Sequence, residues 1–598
     1  MANNFPNILP SFNADFVNGI YVDPRITFTR AGTRTYFGQE VVKAEENLLL
    51  QSQTFDNAAW TKTAVTISAN STAAPDGTTT ADTVTGSAGT TLKTVFPAAA
   101  NTGLASAVAT FSIFAKEGTH RYIQISINGD ATKYVNFDLN GSGATSAFGS
   151  GVTSSVTAAA NGFIRCAVSL TGHPNTSRFY VSLQDSLAAA REASTASTGD
   201  IFLWGAQTEL RSAATAYTPT TTQPITRYQR LLRTAAANEW PREFDPVTGE
   251  CLGRSVWESR TNLLLRSEEF DNAYWEKTNV SASANQTIAP DGTLTADLIT
   301  ENTASGFHVV QRAFTTSAVI YSLTIFAKAG TRNWLQLRIT DGTNLHAAFF
   351  NLSTGAVGTV TASAVATITS IGNGWYRCSV TPPSAVLASA SGYMQYAFGS
   401  ADNTPNYTGN GTGNMFIWGA QLEAGAFPTP YIPTVASQIT RLADSAVMTG
   451  TNFSSWFNPE QGCLFREVLV VANAGGVHAF VGSGNLTNIE FGTSASALNY
   501  LIYVEDNNAV IASLTEASSN YPAGVFHKFA SSYKTDNFAA SGNGRPVLTD
   551  TSGNVPLLAE ILRIGNYNGT TNFLNGYIKR LTYYPQALTS ANLQAITR

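Results

Sequence analysis

One block of sequence occurs twice at a nearly constant spacing, and this limits the possible folds more than any other feature of the chain. ENLLLQSQTFDNAAWTK, beginning at Glu46, returns as TNLLLRSEEFDNAYWEK, beginning at Thr261, so Asn47 corresponds to Asn262 and Trp60 to Trp275, each 215 residues apart. APDGTTTAD (Ala74 to Asp82) returns as APDGTLTAD (Ala289 to Asp297) at the same spacing. FSIFAKEGTHRYIQISI from Phe111 matches LTIFAKAGTRNWLQLRI from Leu323, NGFIRCAV from Asn161 matches NGWYRCSV from Asn373, and IFLWGAQTE from Ile201 matches MFIWGAQLE from Met415. The spacing drifts only between 212 and 215, which places differences between the copies in short loops. Two copies of one domain therefore occupy residues 46–222 and 261–435.

Within each copy the apolar period is two. Tyr122-Ile-Gln-Ile-Ser-Ile and Trp334-Leu-Gln-Leu-Arg-Ile alternate as half-buried strands do, and PDG, NGS and GNG supply turns between them. Short strands with frequent turns predict an all-β fold of tandem antiparallel β-sandwich (jelly-roll) domains. The segment 436–598 does not match the repeat but alternates again at CLFREVLVV and YLIYVE. It ends in a short helix with Thr589 as N-cap and Leu588, Leu593 and Ile596 as its apolar face. Residues 1–45 read as an N-terminal attachment segment and 223–260 as a connector containing the hairpin REFDPVTGECLGR.

Only 13% of the 598 residues are charged, the formal net charge is −5, and no block of Lys or Arg stands out, so nucleic acid and anionic membranes have no electrostatic support as partners. No uninterrupted apolar run is long enough to span a membrane, and the first residues lack a basic start and apolar core, so neither membrane insertion nor a signal peptide is expected. The four cysteines have no metal-ligand spacing, and Cys166 and Cys378 fall on matching strand positions, as buried free thiols would.

With Ile123, Ile125 and Ile127 facing the core, Tyr122, Gln124, Ser126 and Asn128 face outward; in the second copy Trp334, Gln336, Arg338 and Thr340 do so. An aromatic ring beside amide and guanidinium groups suits a sugar, whose C–H face stacks on the ring while its hydroxyls bond the polar groups. Tyr122, Gln124, Trp334, Gln336 and Arg338 are thus the glycan-binding candidates. Trp60, Trp275, Trp204 and Trp418 are expected as core anchors. Asp76, Asp82, Asp291 and Asp297 in the PDG turns are candidates for a structural Ca²⁺, weighed against ordinary turn-capping; no cofactor is required. No carboxylate pair on one strand, HExxH or Ser–His–Asp pattern marks a catalytic site.

DPRITFTRAGTRTYF, ESRTNLLLRSEEFDNAYW with APDGTLTAD, and ITRLADSAVMTGTNFSSWFNPEQGCLF with GYIKRLTYYPQALTSANLQ resemble a family of bacteriophage and prophage tail-associated proteins with carbohydrate-binding-module-like jelly rolls and a C-terminal domain like concanavalin A and laminin G. The resemblance implies a non-enzymatic virion protein, a tail fibre or receptor-binding adhesin that recognises host-surface glycan, is assembled in the host cytoplasm, contacts other virion proteins and is homo-oligomeric, often trimeric. Two alternatives stand beside it: an architectural decoration, collar or head-fibre protein without glycan binding, and a polysaccharide depolymerase.

Overall fold

The computed structural model describes residues 8–19, 21–100, 108–128, 130–141, 143–171, 178–471, 476–483, 487–493, 498–556 and 559–598. The two repeats share one architecture. Among the described residues, one six-stranded sheet of the first copy runs in the order Thr145–Phe148, Tyr134–Asp138, Tyr122–Ile127, Phe179–Gln184, Thr94–Pro97, Trp60–Thr63. The second copy repeats that order with Ala356–Val360, Leu345–Asn351, Trp334–Thr340, Ser389–Gly399, Val309–Thr316 and Glu276–Thr278. A second six-stranded sheet closes each sandwich, again in matching order. The alternating residues drive this: Ile123, Ile125 and Ile127, like Leu335, Leu337 and Ile339, are all but fully buried between the sheets. Each contributes roughly 1.5–3 kcal/mol by leaving water.

The repeated motifs are the joints of this fold. Asn47 and Asn262, both fully buried, each donate from Nδ2 to two carbonyls near the end of their own repeat, those of Ala206 and Thr218 and of Ala420 and Ile432. In both WGAQ motifs the strand register shifts at the glycine, and Gly205 and Gly419 have φ of 61° and 66°. A Cβ at Gly419 would come within 2.8 Å of the Phe326 ring, so a side chain there meets both a disfavoured backbone conformation and a packed core. Trp60, Trp204, Trp275 and Trp418 are buried. Cys166, Cys378 and Cys463 are buried free thiols and Cys251 is half-buried and free.

The third sandwich is assembled from distant parts of the chain. Its eight-stranded sheet contains Phe12–Asp15, Glu243–Phe244 and Cys251–Val256 beside strands of the last 160 or so residues; Phe12–Asp15 and Cys251–Val256 both pair with Gly576–Tyr584. Its seven-stranded sheet is edged by Thr27–Thr29, paired with Ser445–Thr449. Phe12, Phe16, Trp240 and Val256 sit in its core. The segments 1–45 and 223–260 drawn from the sequence as an attachment segment and a connector thus supply strands to the C-terminal sandwich. The reason is that edge strands need partners, and a partner distant in sequence leaves no local pattern. The first repeat is an excursion from this sandwich, leaving along Arg34–Asn47 and returning along Ile225–Ala235, which pair as a long antiparallel ribbon. The second leaves and returns through Arg260–Asn262 and Ile439–Arg441, likewise paired.

Where the four crossings meet, charge is buried. Arg30 bonds Asp444 at 3.1 Å with both side chains inaccessible, and also donates to the carbonyls of Ala236 and Glu239. The second Asp444 oxygen accepts the Trp257 backbone N–H at 2.9 Å. Arg34 pairs with Glu243 at 2.8 Å, and the Ser255 hydroxyl bridges the two. Removing one partner of such a pair leaves an uncompensated charge, which costs about 3–5 kcal/mol. Asp444→Ala is therefore expected to lower the unfolding free energy of the C-terminal sandwich, read from urea melts, by that amount while both repeats keep their own transitions. A shift below about 1 kcal/mol would show that the pair does not hold the crossings together.

Candidate functional site: the outer faces of the repeat sheets

Both predicted glycan strands do turn their polar residues away from the core, but the two copies differ in what covers them. In the first, Gln124 is fully buried, correcting its expected exposure. Residues 187–192 lie over it: Gln124 Nε2 donates to Asn136 Oδ1 at 2.8 Å and to the Ala190 carbonyl at 3.1 Å, and its Oε1 accepts the Glu192 backbone N–H at 2.6 Å. Asn136 donates to the carbonyls of Leu187 and Ala189, and Ser126 to Glu192 Oε1 at 2.8 Å. Every one of these polar groups is satisfied by the loop. Tyr122 is half-buried beneath the Arg121 guanidinium, which is itself held by Asp138 through bonds of 2.7 and 2.6 Å; that pairing keeps the Asp138 carboxyl below the usual range.

In the second copy the corresponding face stays partly open. The strand register aligns Ala347, Arg338, Gln395, Gln311 and Glu276 in one row across five strands, about 19 Å at a strand spacing of ~4.8 Å. Gln395 donates to Gln311 at 2.5 Å and Gln311 to Glu276 at 3.1 Å. Arg338 continues the row, yet its Nε is buried without a hydrogen-bond partner and it makes no ion pair among the described residues; its guanidinium lies 4.9 Å from the Phe307 ring centre. Burial alone pulls its pKa down. Gln336, beside it, is only 4% exposed, again against expectation, and its Oε1 lacks a donor. Tyr393, one row along, is exposed. Trp334 is half-buried at the end of the strand, where its ring and the Asp402 carboxylate close on Gly358 so tightly that a Cβ there would stand 2.7 Å from the ring. The arrangement is a shallow polar trough with an unpaired guanidinium and an unpaired amide oxygen, suited to a ligand carrying both hydroxyl donors and anionic or neutral acceptors.

The four aspartates of the PDG turns do turn and loop work. Asp76 and Asp291 are half-buried and accept from the backbone N–H and hydroxyl of Thr78 and Thr293. Asp82 and Asp297 are buried, each accepting two backbone N–H groups: those of Phe55 and Asn70, and of Phe270 and Asn285. Among the described residues no group of three or more His, Cys, Asp or Glu is placed to hold a metal ion.

Sequence reasoning found Trp334, Gln336 and Arg338 but missed Gln311, Gln395, Glu276 and Phe307, which come from strands and a hairpin far away in the chain. The alternation in Gly392-Tyr-Met-Gln-Tyr, with Tyr393 and Gln395 opposite the buried Met394 and Tyr396, was the one available signal.

The fold and this face define a three-sandwich all-β protein whose polar surfaces lie on sheets. Residues 437–594 match the family model of the concanavalin A-like lectin/glucanases superfamily, Laminin_G_3. No curated protein matches the chain. Among solved structures the chain is similar to the Ruminococcus gnavus IT-sialidase CBM40 (15% identity over 24% of this chain and 87% of that one, TM-score 0.22). It is also similar to the CBM22-1–CBM22-2 tandem of Paenibacillus barcinonensis Xyn10C (13% identity over 65% and 100%, TM-score 0.19) and to mouse laminin α1 LG4-5 (11% over 49% and 90%, TM-score 0.17).

Burial raises Asp297 from 3.8 to about 6. Its contribution to stability is complete below pH 3.8, where folded and unfolded chains both hold the proton, declines between pH 3.8 and about 6, and is lost above that. The loss is at most about 3 kcal/mol. Asp297→Asn is expected to flatten this part of the pH–stability curve of the second repeat; an unchanged slope in urea melts between pH 4 and 7 refutes the assignment.

Proposed function

We propose that this chain is a virion protein of a bacteriophage, a homotrimeric tail-fibre or receptor-binding subunit that attaches to host-surface glycan by binding rather than by catalysis. The observation that carries the glycan reading is the unpaired Arg338 guanidinium in the trough of the second repeat, next to the Gln336 oxygen that lacks a donor. A half-buried cation without a counter-ion, its Nε shut off from water, is costly, and a saccharide carboxylate or hydroxyl pair on Arg338 would relieve that cost while the Gln395–Gln311–Glu276 row orders neighbouring hydroxyls. The virion setting is supported by the motif resemblance carried by DPRITFTRAGTRTYF and the terminal domain. In a trimer, three weak troughs act together and raise avidity by effective concentration.

The first repeat takes a different part in this reading. Its loop 187–192 fills the position that the ligand takes in the second, so it serves as a spacer. A single functional copy in each chain follows. Purified protein on an array of bacterial envelope glycans is expected to bind acidic polysaccharides. Arg338→Ala should weaken that binding tenfold or more, about 1.4 kcal/mol, and Ser126→Ala at the matching position of the first repeat should leave it unchanged. Equal binding by the Arg338 variant removes the trough as the site; phage particles lacking the protein that still adsorb normally remove the adhesin role.

A further inference from the structure

A second polar constellation lies on the outer face of the seven-stranded sheet of the C-terminal sandwich, independent of the repeat-2 trough. Thr487–Thr493 and Leu498–Asp506 pair so that Asn488 faces Glu505 and Glu490 faces Tyr503, while Ile489 and Val504 between them enter the core. Both glutamates and Asn488 therefore emerge on one side of adjacent strands. Asn488 is 1% exposed and donates from Nδ2 to Glu505 Oε2 at 3.3 Å, which turns its amide toward the carboxylates, and its Oδ1 is buried without a donor. Aromatic rings enclose the group: Tyr503 is directly across from Glu490 on one side and Phe480 on the other, and Tyr567 packs edge-on against Phe480 at 5.2 Å. Tyr567 is near enough for Glu490, Glu505 and Tyr503 all to push its pKa up, after burial. Burial and then Glu505 push Glu490 up to about 7, and no cation offsets either effect.

Arg563 ends the same row, across from Phe480 and separated from Glu490 by that ring; on the Glu490 side of Phe480 the groups are acceptors. Glu490, Glu505 and Asn488 Oδ1 offer three acceptors, two of them anionic, beside ring faces. The complementary group is an ammonium, which has three N–H donors and no acceptor and is attracted to aromatic faces. Three or more acidic or imidazole ligands, which a metal ion would need, are not assembled among the described residues. We infer that this face binds the protonated amine of an amino sugar, with Glu490, Glu505 and Asn488 Oδ1 receiving its three N–H bonds and the tyrosine rings flanking the pyranose.

The test uses the full chain with a fully deacetylated chito-oligosaccharide, its N-acetylated counterpart, an N-acetyl-lysine amide and calcium chloride. The deacetylated oligomer is expected to bind and the N-acetylated one not. Glu490→Gln and Glu505→Gln should each weaken binding at least tenfold without changing the melting temperature, and Ser126→Ala, in the sealed face of the first repeat, should leave it unaltered. At pH 6, binding should release a proton from Glu490, read as a dependence of the calorimetric heat on the buffer's ionisation enthalpy, and Glu490→Gln should abolish that release. Equal binding of both oligomers, equal binding of the lysine amide, displacement by calcium, or no binding each overturns the inference. Each of these outcomes leaves the Arg338 trough, tested with acidic polysaccharides, standing.

Discussion

The buried contact between Arg30 and Asp444 is the point on which the arrangement of the whole chain depends. Arg30 lies just before the outgoing strand of the first repeat, and its carbonyl partners Ala236 and Glu239 just after the returning strand. Trp257, held by Asp444, lies just before the second repeat, and Asp444 just after it. One carboxylate and one guanidinium thus touch the chain at all four places where it leaves or rejoins the C-terminal sandwich. A hydrophobic contact could supply comparable energy, but the directionality of these bonds fixes which strands meet. Arg34, Glu243 and Ser255 extend the same network.

Much of the fold was readable because repetition and alternation are local or periodic signals. The strand Trp334–Thr340, the buried tryptophans of the WGAQ motifs and the Thr589 cap each follow from a few adjacent residues, and the cap does accept from the Asn592 backbone N–H. The assignment of Phe12–Asp15 to the last sheet was not readable, since its partner Gly576–Tyr584 lies more than 550 residues away and the four-residue strand carries no mark of it. For the candidate site, the outward direction of Gln124, Gln336 and Arg338 was legible, but their covering was not. Whether a polar side chain meets water or a loop depends on segments such as 187–192, whose Leu-Ala-Ala-Ala-Arg-Glu sequence carries no mark of the strand it covers. Glu490 and Glu505 escaped for a related reason: they are 15 residues apart in sequence and meet only because their strands are antiparallel neighbours.

Duplication followed by divergence at one loop accounts for the difference between the repeats. Both keep the Asn47/Asn262 clamp, the buried Asp82/Asp297 acceptor and the glycine bulge, while connections and outward strand positions such as Ser126 and Arg338 differ. In the first copy the connection between Phe179–Gln184 and Asp200–Glu209 folds inward and satisfies Gln124, Asn136 and Ser126. In the second the equivalent connection forms Asn406–Thr408, pairs with Ser305–Phe307, and leaves Arg338 against Phe307 instead. A polar face sealed by backbone stiffens a module, whereas the same face left partly unsatisfied holds free energy that a ligand can release.

The pairing of Phe12–Asp15 with Gly576–Tyr584 also sets a timetable for the nascent chain. At ribosomal rates of about 5–20 residues per second, the N-terminal strand waits roughly half a minute to two minutes for its partner to be made. Both repeats can collapse in that interval, because each holds its own core. The C-terminal sandwich cannot, so Phe12 and Phe16 lack their partners until Gly576–Tyr584 has been made. Over that interval the strand's unpaired edge is open to any other edge it meets, and closure within the chain has to outrun that competition.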